Sequence, residues 1–173
     1  MKPRIPLSVT VGVLGGLACL VTAPGLGLPV WALFIGWAWY YALGATPAVF
    51  KIAIPAVFPG AFCASLALWL IGWGAGIGFT GMPALVLFVG LTVFLLMLLM
   101  KIPVFSAGLP AFNGYSTVFA LYFIGGFPDL AAGPIVSCFL WAVIGNLLGP
   151  VFGWLSIVLQ FPRKVEETAE KNS

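Results

Sequence analysis

Three polar side chains in an otherwise apolar setting could do chemistry in this chain: Asn113, Ser116 and Thr117. They lie in the stretch from Lys101 to Gly126, KIPVFSAGLPAFNGYSTVFALYFIGG, which also carries Pro103 and Pro110. Hydrocarbon penalises unsatisfied polar groups, so such a stretch must be buried in protein or line a cavity. On a helix beginning near Pro110, positions 113, 116, 117, 120 and 124 share one face, polar at one end and small in the middle. Phe112, Tyr115, Phe119 and Tyr122 form a neighbouring aromatic stripe. Gly108-Leu109-Pro110 is expected to interrupt helical hydrogen bonding and free backbone dipoles. Hydrogen bonding to a small neutral or dipolar solute is the chemistry these groups suit. The expected solute path is Phe105, Ser106, Pro110, Phe112, Asn113, Ser116 and Thr117.

Two other readings stand beside that one. Asn, Ser and Thr also hydrogen-bond between packed helices, and aromatic stripes also face lipid or core. The same face would equally serve as a docking surface for a partner. Asn146 is the other amide at membrane depth, and its place beside a glycine stripe favours helix packing over ligand contact.

What is missing narrows the chemistry further. The chain has no histidine, and no acidic residue is expected inside a span. General acid–base and nucleophilic catalysis need a base, and proton relays in membranes use buried ionisable groups. The sequence therefore predicts no enzyme, no catalytic residue, no cofactor and no metal site. Cys19, Cys63 and Cys138 fall in apolar runs at wide, irregular spacing, which fits small packing residues rather than a disulfide framework. The net charge of +3 comes from ends and short loops and gives no patch for nucleic acid.

The elements that must position these residues are membrane helices. Of 173 residues, 62% are hydrophobic and 6% charged, against about 45–50% apolar and about 25% charged in soluble domains. One transmembrane domain over residues 1–162 is expected, followed by a polar cytoplasmic tail over 163–173. The run from Ile5 to about Ala23 reads as a first helix; it is too long for a usual signal core, although Val21-Thr22-Ala23 resembles a cleavage site. Val30 to Leu43 reads as a second, with Trp31, Trp37, Trp39, Tyr40 and Tyr41 suited to interfacial belts. Ala45 to Gly60, with Pro47, Pro55 and Pro59, reads as a loop plus a re-entrant or half-helical segment, followed by a third span from Ala61 to about Ile77. Met82 to Met100 is an uninterrupted span, Lys101–Gly126 supplies the fifth, and Ala131 to Phe161 the sixth, with a kink at Pro150. Gly145, Gly149 and Gly153 repeat every fourth residue and predict close helix approach, within a subunit or between subunits of an oligomer.

Charge fixes the expected topology. With six spans and the N-terminus inside, Lys2, Arg4, Lys51, Lys101, Arg163, Lys164 and Lys171 are all cytoplasmic and Asp129 lies outside. All the basic residues then obey the positive-inside rule; five or seven spans would split them. A shift of 50 residues also superposes Lys51-Ile52 on Lys101-Ile102, Ala61-Phe62 on Ala111-Phe112 and Gly76 on Gly126, a weak repeat relating units of one orientation.

Two family resemblances rest on these residues. The segment Pro110-Ala-Phe112-Asn-Gly114-Tyr-Ser-Thr-Val-Phe119-Ala120, following a lysine in a short six-span chain, resembles the bacterial inner-membrane family called domain-of-unknown-function family 1097 over roughly residues 5–160. That resemblance implies a multi-pass protein of the bacterial cytoplasmic membrane. Ile102-Pro-Val-Phe-Ser106 and Phe112-Asn113-Gly114 look like the L-P-V-F-T and F/Y-N-G segments of bacterial urea transporters. That likeness implies that Phe105, Phe112 and Asn113 lie near a path for a neutral amide. The chain departs from those transporters in fusing both motifs into one stretch, in being about half as long, and in an even number of spans. The expectation is an all-α integral membrane protein, oligomeric and surrounded by lipid, that passes a small uncharged or weakly polar solute. A structural or accessory membrane subunit is the alternative.

Overall fold

The computed structural model describes residues 5–23 and 26–160. Those residues form six α-helices: α1 (Leu7–Ala18, extended by a 3-10 turn Cys19–Thr22), α2 (Val30–Ala42), α3 (Ala48–Gly76), α4 (Gly81–Leu99), α5 (Gly108–Ile124) and α6 (Pro134–Val158). A short 3-10 turn, Pro103–Phe105, joins α4 to α5. Helices α3, α4 and α6 are long and apolar enough to cross a membrane, with mean hydropathies of 1.9, 2.6 and 2.0. The charged tail and residues 1–4 expected at the cytoplasmic face lie outside the described residues.

Glycines pair the helices. Apolar helices gain nothing from hiding from lipid tails, so close backbone approach and van der Waals contact must hold them together. Helices α2 and α6 meet along Gly36, Gly145, Gly149 and Gly153. A Cβ on Gly36 would lie 2.8 Å from the Asn146 carbonyl oxygen, and one on Gly145 would lie 2.7 Å from Ala32 Cβ. At Gly149 it would run into the backbone of Leu33 and Trp37. Helices α3 and α5 meet the same way: Gly60 sits on the Ala111 carbonyl and Gly114 on the Val57 carbonyl. The stripe at 145, 149 and 153 thus packs inside the subunit.

Three of the five aromatic residues expected at interfacial belts, Trp37, Trp39 and Tyr40, pack into the protein rather than face outward. A Cβ on Gly153 would lie 2.6 Å from the Tyr40 ring and 2.9 Å from that of Trp37. A face of α6 without side chains leaves room for large rings, and that size complementarity draws them inward.

The broken region expected over Ala45–Gly60 is instead the first half of α3, one continuous helix of 29 residues with Pro55 and Pro59 inside it. Each proline removes one backbone donor and leaves the carbonyl four residues earlier without its partner. For Pro55 that carbonyl belongs to Lys51, an exposed residue in the first turn where water can reach it. Neighbouring helices let membrane helices keep proline in this way. Likewise Gly108, Leu109 and Pro110 begin α5 rather than interrupting it. Proline in a first turn gives up a donor that had no intrahelical partner. The 50-residue repeat does not correspond to equivalent structural units. Lys51 lies within α3 whereas Lys101 precedes α5, and Ala61 is in the middle of its helix whereas Ala111 is in a first turn.

The two ends of the bundle differ in polarity. At one end, the Ile5 amide donates to the Gln160 carbonyl at 3.3 Å. Nearby, Thr10 donates to the Ser156 carbonyl at 2.9 Å, and the Tyr41 hydroxyl meets that of Ser156. The Tyr40 and Phe50 rings, 5.5 Å apart, bring the start of α3, with Lys51, to the same end. At the other end, the loop 125–133 is fixed to α6 by Trp141, whose indole donates to the Pro128 carbonyl at 2.8 Å. There Ser137 lies 3.2 Å from the Asp129 carboxylate.

The two outer helices are held by single stripes. Helix α4 buries only Ala84, Phe88, Thr92 and Leu96, spaced four residues apart. Helix α1 buries Thr10, Leu14 and Ala18. The remaining apolar faces, including Val86, Leu87, Leu91 and Phe94, are turned outward. In water such a surface would be an aggregation hazard; in lipid it is a solvated one.

Candidate functional site

Helix α5 carries most of the residues expected on a path, and its neighbours sort them onto different surfaces. Thr117 is fully buried toward α6. Its hydroxyl donates to the Asn113 carbonyl at 2.6 Å and accepts from the Asn146 amide at 3.0 Å. Asn146, also fully buried, donates to the Ala142 carbonyl at 3.0 Å and accepts from the Trp39 indole at 3.3 Å. This hub joins α2, α5 and α6, and its buried polar groups satisfy one another in place of water. Asn146 is helix glue, as its place beside the glycine stripe suggests.

The other expected residues do not converge on that hub. Asn113 is half-buried and Phe112 is exposed. Pro110 is buried in the first turn of α5. Phe105 is half-buried in the 3-10 turn, and Ser106 is exposed with its hydroxyl on the Pro103 carbonyl at 2.8 Å. Both precede α5, at the end marked by Lys101.

Ser116 faces a different surface. It is exposed in a groove of about 700 Å³ between α4 and α5, lined by Leu85, Val86, Val89 and Gly90 on one side and Tyr115, Ser116, Phe119 and Phe123 on the other. The α5 wall is a ladder of rings. Tyr115 and Phe119 stack at 5.2 Å and 23°, Phe119 and Phe123 at 6.0 Å and 29°. The expected stripe holds at Tyr115 and Phe119 but not at its ends: Phe112 is not in the ladder, Phe123 rather than Tyr122 continues it, and Tyr122 meets Phe123 edge-on at 5.4 Å.

One contact bridges α4 and α5 at the end of the groove nearest Lys101. The Tyr115 hydroxyl lies 3.0 Å from Thr92 Oγ1. Thr92 is three residues beyond Val89, and its own proton is within reach of the Phe88 carbonyl at 2.9 Å and the Val89 carbonyl at 3.2 Å. From Tyr115 to Phe123 the ladder spans roughly 12 Å of helix. A cleft of this size, mainly aromatic and aliphatic with a few hydroxyls at one end, has the make-up of a small-molecule site.

A family model described as protein of unknown function (DUF1097) matches residues 8–160. The chain belongs to that family. Its match takes in all six helices, so the hub and groove both lie within the part common to the DUF1097 description. No curated protein and no solved structure matches.

Sequence reasoning missed the α4 side of the groove. Met82–Met100 reads as plain lipid-facing helix, yet Gly90 and Thr92 are the points where its aliphatic run is interrupted. Gly90 leaves a gap in the wall, with nothing within 4 Å of where its Cβ would be. Thr92 supplies the hydroxyl that meets Tyr115.

Proposed function

We propose that this DUF1097 protein is a membrane facilitator for a small uncharged or weakly polar solute, and that the solute moves along the α4–α5 groove. The observation that carries the reading is Ser116, a hydroxyl exposed in a groove whose other walls are aromatic and aliphatic. No charged side chain lines it, so an ion would lose its hydration there without compensation. On this reading the protein is not an enzyme.

The same proposal places six spans in the bacterial cytoplasmic membrane with both chain ends inside. Supporting it, Lys51 and the paired residues Ile5 and Gln160 share one end of the bundle, opposite Asp129. Helices α2 and α5 are short, 13 and 17 residues, or roughly 20 and 26 Å. They would cross where the bilayer thins locally or their flanking segments complete the span. A homo-oligomer is part of the proposal, with α1 as its contact: Gly12 and Gly16 stand on an uncovered face at the spacing that allows close helix approach.

An accessory subunit is the second reading, favoured by the self-satisfied Asn146–Thr117–Trp39 hub, which leaves the bundle interior sealed at that level. Flux separates the two. Full-length protein in liposomes should carry neutral solutes faster than empty vesicles, and Gly90→Leu, which adds a side chain to the groove at a position where a Cβ meets nothing within 4 Å, should abolish the excess. Equal rates for wild type, Gly90→Leu and empty vesicles would favour the accessory role.

A further inference from the structure

We propose that the Tyr115 hydroxyl selects the solute, exchanging its bond to Thr92 for one to the carbonyl oxygen of a small neutral amide. This rests on the groove being a solute path.

The donor in the Tyr115–Thr92 bond follows from the geometry around Thr92. Its single hydroxyl proton has carbonyl acceptors on its own helix, Phe88 at 2.9 Å and Val89 at 3.2 Å. The proton between the two hydroxyls, 3.0 Å apart, is therefore that of Tyr115. When Tyr115 turns away, Thr92 keeps its carbonyl bond and no buried donor is orphaned. Exchanging one acceptor for another costs little, whereas losing one outright costs a desolvated hydroxyl.

That exchange defines the ligand. It must offer an acceptor, because Tyr115 donates. It must be neutral, because nothing charged faces the groove. A flat molecule fits the stacked faces of Phe119 and Phe123, and N–H edges are attracted to the negative faces of such rings. Ser116, on the next residue of the same wall, offers a second hydroxyl. A small amide has all of these features. A hydrocarbon chain has none, and would leave the Tyr115–Thr92 bond closed.

Tyr115 and Thr92 also form a hydrogen-bonded bridge between α4 and α5 at the end of the groove nearest Lys101. Acceptance of the solute by Tyr115 therefore releases that bridge.

The test compares stopped-flow permeability of acetamide and urea with that of ethylene glycol, which is not flat and whose hydroxyl oxygens are weaker acceptors than an amide carbonyl, in liposomes holding the full chain. Tyr115→Phe keeps the ring and removes the donor, so protein-dependent amide permeability should fall about five-fold, the worth of one hydrogen bond, with ethylene glycol affected less. Thr92→Val removes the competing acceptor while leaving Tyr115 in place, so amide permeability should hold or rise. Wild type matching empty vesicles for every solute would overturn the path itself and this role with it. A permeable wild type with Tyr115→Phe unchanged in selectivity would overturn the selection role alone. So would equal losses for all solutes in both variants, the signature of a purely structural clamp.

Discussion

Asn146 donates a hydrogen bond of 3.0 Å to Thr117 across the seam between α5 and α6, and neither residue is reached by solvent. The contact makes two neighbouring polar positions of α5 unlike each other. Thr117 is spent on the seam; Ser116 is left facing out.

Removing the two partners of the seam should have unequal costs. Thr117→Val deletes one interhelical hydrogen bond, worth about 0.6 kcal/mol on average in a membrane helix. Asn146→Ala leaves the Trp39 indole and the Thr117 hydroxyl without their partner and opens a void, so its cost should be about 2 kcal/mol. Thermal unfolding in mild detergent checks the order. Equal losses would mean that Asn146 joins two helices rather than three.

Glycines should separate into two classes by what stands opposite them. A side chain at Gly149 meets the backbone of α2, and one at Gly60 the Ala111 carbonyl, whereas Gly12 and Gly90 face open space. Gly149→Leu and Gly60→Leu should each destabilise by about 3 kcal/mol, since two backbones must move apart. Gly90→Ala should be neutral or slightly stabilising through helix propensity. Yield of folded protein and melting temperature measure the contrast, and a Gly90 variant as harmful as that at Gly149 would refute it.

These contrasts show which features were legible in the sequence. The span expected at Met82–Met100 is α4 within a residue at each end, because a long apolar run without a breaker has one interpretation. The glycines at 145, 149 and 153 and the adjacent Asn146 were also readable as packing, since four-residue spacing puts them on one face. Two prolines in α3 were misleading, because whether a proline breaks a helix depends on what its freed carbonyl meets. The burial of Trp37 and Tyr40 was not legible for the same kind of reason: it depends on a bare face on α6, more than 100 residues away. The groove was invisible because its two walls become neighbours only once α4 docks on α3. Nothing in the spacing of α5 alone says that position 116 meets a cavity and position 117 a seam.

The polarity of the bundle can be read out in the membrane. Lys101→Cys and Asp129→Cys, each placed in a Cys19→Ser background, should react with an impermeant maleimide from opposite sides; Cys63 and Cys138 are buried. The cytoplasmic side is expected for position 101, following the positive-inside rule. Both positions labelled from one side would require an even number of crossings between them, contrary to a pair of helix ends joined by α5 alone.

The division between positions 116 and 117 gives the most direct test of where a solute travels. Ser116→Cys in the same Cys19→Ser background places a thiol in the α4–α5 groove, while Thr117→Cys places one in the seam beside Asn146. If water and small solutes enter the groove, the thiol at 116 forms thiolate and reacts with a small methanethiosulfonate, while that at 117 stays inert. Acetamide in excess should then slow labelling at 116, because the reagent and the solute share one space. Reaction at 117 with none at 116 would move the path from the outer groove into the bundle. Protection of 116 by lipid alone, unaffected by acetamide, would leave the groove as a seat for hydrocarbon. Adjacent residues on one turn of α5 thus separate a path outside the seam from one through it.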